Sequence, residues 1–347
     1  MQAGTDDEAP TLGSAGERAA LRRIFPRLPD ADAALLGPGD DAAVVAAPDG
    51  RVVISTDLLV HGPDFRLAWS SFFDLGWKAA ATNLADIAAM GAVPTALVVA
   101  LAAPKPTPLA DLEALADGFR EACAALAPGV GVVGGDLSAS PTLTVAVTVF
   151  GDLEGREAVL RSGGRPGDVL ALAGGLGRAA AGLALLFGRA VDDQGNPDAG
   201  RMPGLRQEHA ALLDAQLTPR PPIPAGRVAA LAGATAMLDV SDGLLLDAGR
   251  IAEASGVRID LAADALAAET AALAREAPAL ADRALALVLG GGEDHGLLAA
   301  FPPGAVPEGF RPVGRLLDGT GVTLDGRDPG AVVPGWDSFA AWDGAAG

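Results

Sequence analysis

The chain has 347 residues, half of them apolar, so it is long enough for two domains with sizeable cores. Its net charge of −19 argues against partners that need a basic surface, such as nucleic acid or an anionic membrane. A single cysteine excludes an internal disulfide and indicates a cytoplasmic protein, and three histidines disfavour a closed zinc site. The abundant carboxylates favour Mg²⁺ as a metal partner.

The N-terminus is acidic and contains no apolar stretch, so it does not have the pattern of a signal peptide. We expect residues 1–14 to form a mobile tail. The longest apolar run, 96–103, is shorter than the ~18 residues needed to span a bilayer, so we expect no membrane partner.

The first elements of the chain lead to an acidic turn. Residues 17–25 carry apolar side chains at helical spacing and predict a short helix. The glycine-rich turn 37–41 contains two adjacent carboxylates. The apolar runs 43–47 and 51–55, separated by the turn residues Asp49-Gly50, predict a hairpin, whose end would bring those carboxylates close to Asp57.

Residues 70–90 form the longest amphipathic pattern and predict a helix that stops at Gly91. Asn83 and Asp86 lie three residues apart and therefore share a face of this helix. A polar pair in an alanine-rich buried helix needs a partner, although a solvated helix edge is an alternative.

The remaining elements of the first half are strand 94–103, helix 109–126, strand 130–133 and strand 142–149. Their order predicts a mixed sheet with helices on one face. Gly134-Gly135-Asp136 follows one of these strands, where its backbone could approach a phosphate, or where it could be an ordinary turn.

A cluster of glycine, proline and charged residues at 151–166 predicts a domain boundary. It divides the chain into domains 15–152 and 153–347. The second half again alternates strands with helices, so the predicted fold class is α/β throughout.

The second half contains two further acidic turns. Strand 236–240 carries Asp239 and leads into Ser241 and Asp242 ahead of a helix. Serine and aspartate before a helix are also a common N-cap, which is the alternative for Asp242. The turn 290–294 contains three glycines, a glutamate and an aspartate.

The chain lacks a P-loop, a kinase catalytic-loop signature, a Gly-x-Ser-x-Gly elbow and a His-Glu-x-x-His motif. What the sequence offers is a series of acidic, glycine-rich turns spread along its length. Such a set suits Mg²⁺ ions that neutralise phosphate groups, where catalysis consists mainly of positioning and charge stabilisation.

Eight motifs, in this order and spacing, resemble the thiamine-monophosphate kinase family of the aminoimidazole ribonucleotide synthetase (PurM-like) superfamily. The resemblance covers about residues 15–340. The motifs are GDDAAVV (39–45), ISTD (54–57), KAAATNLADIAAMGA (78–92), GGD (134–136), RSGGRPGD (161–168), DVSDGL (239–244), GGED (291–294) and GWDSF (335–339).

The resemblance implies a two-domain PurM-like fold with mixed α/β sheets, in which the N-terminal sheet forms a homodimer interface. It implies transfer of the γ-phosphoryl group of ATP to thiamine monophosphate by direct in-line attack, giving thiamine diphosphate. Because a phosphate monoester is largely ionised near neutrality, with a second pKa of about 6, this reaction requires no general base.

Carried over motif by motif, the resemblance also implies three sets of binding residues. The Mg²⁺ ligands would be Asp41, Ser55, Thr56, Asp57, Asp86, Asp136, Asp239 and Asp242. The ATP contacts would be Gly135, Asp136, Arg161 and Ser241. The substrate contacts would be Asp64, Glu293 and Trp336, with Trp336 stacking on a thiamine ring.

Three positions depart from the family pattern. Asp64 and Ser338 stand where histidine is usual, and His295 stands where an aromatic residue is usual. None of the three is a predicted metal ligand, so we expect activity to persist with altered substrate contacts. Another ATP-using enzyme of the superfamily, or a catalytically silent nucleotide- or metal-binding relative, is the alternative.

Overall fold

The structure, a computed structural model, describes residues 9–37, 42–330, 332 and 335. Within these ranges the chain forms four stacked layers: an N-terminal sheet, a helical layer, a C-terminal sheet and an outer group of helices. The predicted α/β class with mixed sheets is confirmed. No helix in the described ranges is long and apolar enough to cross a bilayer.

The elements alternate between helices and strands for most of the chain. The helices are α1 (Leu12–Ala15), α2 (Glu17–Ile24), α3 (Phe72–Ala89), α4 (Leu109–Leu126), α5 (Arg178–Arg189), α6 (Met202–Leu217), α7 (Ile223–Leu231), α8 (Leu244–Ser255), α9 (Ala263–Glu276) and α10 (Ala284–Gly290). The strands are β1 (Ala34–Leu36), β2 (Val44–Val45), β3 (Val53–Val60), β4 (Val93–Ala103), β5 (Gly131–Ala139), β6 (Thr144–Asp152), β7 (Val169–Ala173), β8 (Ala236–Val240), β9 (Arg258–Leu261), β10 (Gly296–Phe301), β11 (Arg311–Leu317) and β12 (Gly321–Leu324).

The N-terminal sheet has the strand order β3-β6-β4-β5 and is antiparallel except between β4 and β5. Alternate residues of β6, including Val145, Val147 and Val149, are buried in the core with α3 and α4. The residues between them point to the opposite face, which we call the outer face. Helices therefore cover one face of this sheet, as predicted.

Helix α3 lies at the centre of the molecule. It begins with a capping box, in which Ser71 and Asp74 each accept the backbone N–H of the other. Nearly all its residues are buried, because the N-terminal sheet packs on one side and strands β8 and β10 pack on the other. Asn83 is only 1% exposed, so a solvated helix edge is the wrong interpretation for this residue.

The C-terminal sheet has the strand order β12-β9-β11-β7-β10-β8 and is antiparallel except between β12 and β9. Its inner face contributes Met237, Leu297 and Phe301 to the core around α3. Helices α5, α6, α8, α9 and α10 cover the other face. The predicted division of the chain at residue 152 stays a prediction.

Two predictions for the N-terminal half are wrong. The hairpin around Asp49-Gly50 does not form, because β2 pairs with β1 while β3 pairs along its whole length with β6. Asp57 consequently lies inside β3 rather than at the end of a strand. Residues 12–14 of the predicted tail belong to α1, where the Leu12 N–H donates to the carbonyl of Thr107.

The interpretation of Gly134-Gly135-Asp136 as a turn after a strand is also wrong. All three residues lie within β5 and pair with β4. A Cβ atom on Gly135 would lie 1.9 Å from the carbonyl oxygen of Val99. The close approach of β4 therefore requires glycine at this position, independently of any phosphate.

Candidate active site

A polar stripe along α3 connects the two halves of the chain. Lys78, Thr82 and Asp86 follow each other at intervals of four residues and therefore share one face of the helix. At one end of the stripe, Lys78 contacts Glu293 of the C-terminal half. At the other end, Asp86 accepts a hydrogen bond of 2.6 Å from Ser55 Oγ on β3.

Carboxylates from both halves crowd around the Asp86 end. Burial, followed by the charges of Asp239 and Asp57, raises the pKa of Asp86 to about 7, although the bond from Ser55 opposes this shift. Desolvation, together with the charges of Asp239 and Asp242, raises the pKa of Asp57. We call these five residues, Ser55, Asp57, Asp86, Asp239 and Asp242, the acidic junction.

His295 lies beside the acidic junction and holds Asp239. Its Nδ1 is 3.1 Å from Asp239 Oδ2, and both side chains are 8% exposed. Burial opposes protonation, but the hydrogen bond with Asp239 and the charge of that carboxylate raise the pKa of His295. The departure from the family pattern at this position thus places a hydrogen-bonding ring against a predicted metal ligand.

Asp242 is fixed by the first turns of α8 but does not cap that helix. The N-cap residue is Gly243, and Asp242 Oδ2 instead pairs with Arg250 at 2.6 Å. Asp247 accepts the backbone N–H groups of Asp242 and Gly243 at 3.0 and 3.1 Å. Asp242 as the N-cap of this helix is therefore wrong. Arg250 and Asp247 were not predicted as site residues, although their three-residue spacing on α8 indicates an ion pair on one face of the helix.

The other end of the stripe holds a second cluster. Lys78 Nζ lies 2.9 Å from Glu293 Oε2, and Gln216 Nε2 donates to the same oxygen. Burial opposes ionisation, but the charge of Lys78 and these hydrogen bonds lower the pKa of Glu293. We call Lys78, Gln216 and Glu293 the Glu293 clamp. Lys78 and Gln216 were missed, although Lys78 shares the helical face of Asp86 at a spacing of eight residues.

Asp64 lies close enough to the Glu293 clamp to share its charges. Desolvation and the charge of Glu293 raise the pKa of Asp64, while the Val60 N–H, at 2.7 Å, and the charge of Lys78 lower it. The structure thus brings the predicted substrate residues Asp64 and Glu293 into one region. Trp336, the third predicted substrate residue, lies outside the described residues.

Asp136 lies apart from the acidic junction within the chain. Strands β3 and β5 are the two edges of the N-terminal sheet, with β6 and β4 between them, which separates them by roughly 14 Å. The side chains of Asp136 and Thr56 lie on the outer face, whereas Ser55 bonds to Asp86 on the helical side. Thr56 Oγ1 donates to the carbonyl oxygen of Val147.

Arg161 lies apart from the other predicted ATP residue of the C-terminal half. Its carbonyl oxygen accepts a hydrogen bond from Ser255, the last residue of α8. Ser241 precedes the first turn of the same helix, and 12 helical residues span roughly 18 Å. The two residues are thus at opposite ends of α8.

The oxygen donors of the acidic junction are of the type that binds Mg²⁺. Among the described residues, no three His, Cys, Asp or Glu side chains form a group that could hold a metal ion. Asp41 lies outside those residues, and Asp136 lies on the outer face. The oxygens that are present are hard ligands, and a cation would favour the ionised forms of Asp57 and Asp86, whose pKa values the charge of Asp239 raises.

Comparison with known proteins identifies the family. The model of the AIR synthase related protein N-terminal domain matches residues 39–153, and that of the C-terminal domain matches residues 165–310. The thiamine-monophosphate kinase of Mycobacterium tuberculosis (strain H37Rv) is 48% identical over 336 residues, which cover 97% of this chain and 95% of that protein.

Solved structures agree with this match. The thiamine-monophosphate kinase of Stenotrophomonas maltophilia K279a has a TM-score of 0.74 and 33% identity, covering 89% of this chain and 96% of that one. A structure described as AaThiL complexed with AMPPCP and TMP has a TM-score of 0.69 and 28% identity, covering 83% and 88%. The chain therefore belongs to the thiamine-monophosphate kinase family of AIR synthase related proteins.

Proposed function

We propose that this protein transfers the γ-phosphoryl group of ATP to thiamine monophosphate and so produces thiamine diphosphate. The observation that carries the proposal is the acidic junction, where carboxylates from both halves meet over one face of α3 and the charge of Asp239 raises the pKa of both Asp57 and Asp86. A related structure binds the ATP analogue AMPPCP together with TMP. The substrates are small metabolites, and the reduced, buried Cys123 fits a cytoplasmic enzyme.

The reaction we propose is direct in-line transfer. A phosphate oxygen of thiamine monophosphate attacks the γ-phosphorus, the bond to the bridging oxygen breaks, and ADP leaves. The attacking phosphate is already ionised, so no side chain needs to remove a proton. Ser241 and Arg161 are the proposed contacts of ATP, and Asp64, Glu293 and Trp336 are those of the thiamine moiety.

Mg²⁺ is the proposed metal. When bound, it would neutralise the charges of the substrate phosphates, which the carboxylates of the acidic junction would otherwise repel. Its proposed ligands are Asp41, Asp136, Thr56 and the acidic junction itself.

The direct test is formation of thiamine diphosphate by purified protein from ATP and thiamine monophosphate, with and without Mg²⁺. We expect product only with the metal, and loss of about 100-fold or more in kcat for Asp57→Asn without loss of folding. Absence of product with the intact protein and Mg²⁺ would refute the proposed function.

We further propose a homodimer formed through the outer face of the N-terminal sheet. Ile54 and Leu58 are 59% and 54% exposed on that face. Neighbouring aliphatic side chains that are exposed on one face of a sheet are typical of a protein interface. A second copy would also account for the position of Asp136, because β5 of the partner could lie along the edge strand β3, which carries Thr56 and Asp57.

The homodimer places each active site across two chains, which complementation can test. Asp57→Asn and Asp136→Asn would each be inactive alone. Mixed dimers carrying one variant in each chain would contain one intact site, so a randomised mixture should recover about a quarter of wild-type activity. No recovery in verified mixed dimers would show that both carboxylates act within one chain.

A further inference from the structure

Glu293 is held in a way that leaves one carboxylate oxygen available. Lys78 and Gln216 both donate to Oε2. No described residue donates to Oε1, and the side chain is 36% exposed. The backbone is fixed as well, because Glu293 has a φ of +68° and its N–H donates to the Ser241 carbonyl at 2.7 Å. The clamp therefore presents Oε1 as a positioned acceptor.

Gln216 provides a second acceptor on the same carboxamide that holds Glu293. An ionised carboxylate can only accept hydrogen bonds, so the amide nitrogen of Gln216 must face Glu293 and the amide oxygen must face away. That oxygen is buried and has no hydrogen-bond partner among the described residues. Gln216 as a whole is 4% exposed. Buried polar atoms are nearly always paired, so an unpaired one indicates a missing donor.

We infer that Gln216 determines substrate specificity: its Oε1, with Glu293 Oε1, accepts the two N–H bonds of the 4′-amino group on the pyrimidine ring of thiamine monophosphate. The inference rests on the proposed contact of Glu293 with this substrate. An exocyclic amino group has two donors and no strong acceptor, which matches two neighbouring acceptor oxygens. The terminal torsion of glutamine is broad, so a small rotation of the carboxamide admits the amino group.

Lys78 takes the third role in this arrangement. By holding Oε2 and balancing the charge of Glu293, it keeps the carboxylate ionised and directed toward the amino group.

The test compares thiamine monophosphate with oxythiamine monophosphate, in which a carbonyl oxygen replaces the 4′-amino group. Wild-type protein should prefer the amino substrate by on the order of 100-fold in kcat/KM. The carbonyl oxygen of the analogue cannot donate a hydrogen bond to Oε1 of Gln216 or of Glu293. Gln216→Met should reduce that preference to below about tenfold, mainly by raising KM for thiamine monophosphate. The KM for ATP should not change.

Two further variants separate recognition from structure. Gln207→Met, an exposed position on the same helix, should keep the wild-type preference. Gln216→Leu, another apolar side chain of similar size, should reduce the preference in the same way and serves if Gln216→Met does not fold. An unchanged preference in either folded variant overturns the inference while leaving thiamine-monophosphate kinase activity intact. Absence of any wild-type activity would instead refute the proposed function.

Discussion

Burial and neighbouring charge both oppose ionisation of two carboxylates in the acidic junction. Asp57 and Asp86 come from the N-terminal half, and the charge of Asp239 from the C-terminal half raises the pKa of both. Without a bound cation, Asp57 and Asp86 in the folded protein therefore retain protons at pH values at which the unfolded chain has released them. This difference couples protein stability to pH, and the proposed Mg²⁺ would add a coupling to the metal.

Asp86→Asn should reveal that coupling. The pKa of Asp86 is about 7 in the folded protein and 3.8 in the reference state, so the folded state binds the extra proton between these values. Stability conferred by the protonated form is consequently lost as pH rises from about 4 to 7. In chelator, Tm of the wild type should fall more over this range than Tm of Asp86→Asn.

The matched control is Asp318→Asn, at an exposed position in the turn after β11. Its Tm profile should follow the wild type. Added Mg²⁺ should raise Tm of the wild type most at pH 8, where metal no longer competes with the proton. If Tm of the wild type and Tm of Asp86→Asn changed in parallel with pH, the extra proton would not belong to Asp86.

Two glycines set the position of α3 against α4. A Cβ on Gly76 would lie 2.0 Å from the carbonyl oxygen of Leu115, and one on Gly118 would lie 2.2 Å from that of Phe73. The backbones of the two helices therefore approach too closely for any side chain at either position. The same crossing fixes the polar stripe that carries Lys78 and Asp86.

Gly118→Ala should lower the free energy of unfolding by about 1–3 kcal/mol, because the added methyl group overpacks the crossing. Gly188→Ala is the control: Gly188 also lies in a helix, α5, with no atom within 4 Å of an added Cβ. That variant should be more stable by about 0.5–1 kcal/mol through helix propensity. Chemical denaturation measures both, and equal effects would contradict the packing argument.

The sequence predicted elements better than it predicted their partners. Strong periodicity defined helix 70–90 to within two residues at its start, and α4 has its predicted bounds. The Asp49-Gly50 turn signal was local, whereas the choice of β6 as the partner of β3 depends on a buried valine row nearly 100 residues away. Likewise, Gln216 contacts Glu293 because of the way α6 packs, and nothing in the sequence around Gln216 predicts this contact.

On the scale of the whole molecule, the outer face of the N-terminal sheet is an exposed surface with aliphatic side chains. It carries exposed aliphatic side chains together with Thr56 and Asp136, two predicted metal ligands. Predicted ligands on this face, which is turned away from the acidic junction, can contribute to a metal site only if a second chain binds there. The homodimer proposal accounts for both observations at once.

Ile54→Asp should convert the protein to a monomer, because the new charge would be buried against the partner sheet. Leu231→Asp is the control, since Leu231 on α7 is also 59% exposed but lies outside this face. Sedimentation velocity should show a dimer for wild type and Leu231→Asp and a monomer for Ile54→Asp. A dimeric Ile54→Asp would exclude this face as the interface.

The shared position of α3 limits how the chain can be divided. A fragment ending near residue 157 would expose the α3 surface that packs on Met237, Leu297 and Phe301, and the complementary fragment would expose those side chains. Each fragment separately would be prone to aggregate, whereas the two produced together should assemble on one another. The two halves therefore share one core, and exchanging either half with a relative requires exchanging the residues that face α3 as well.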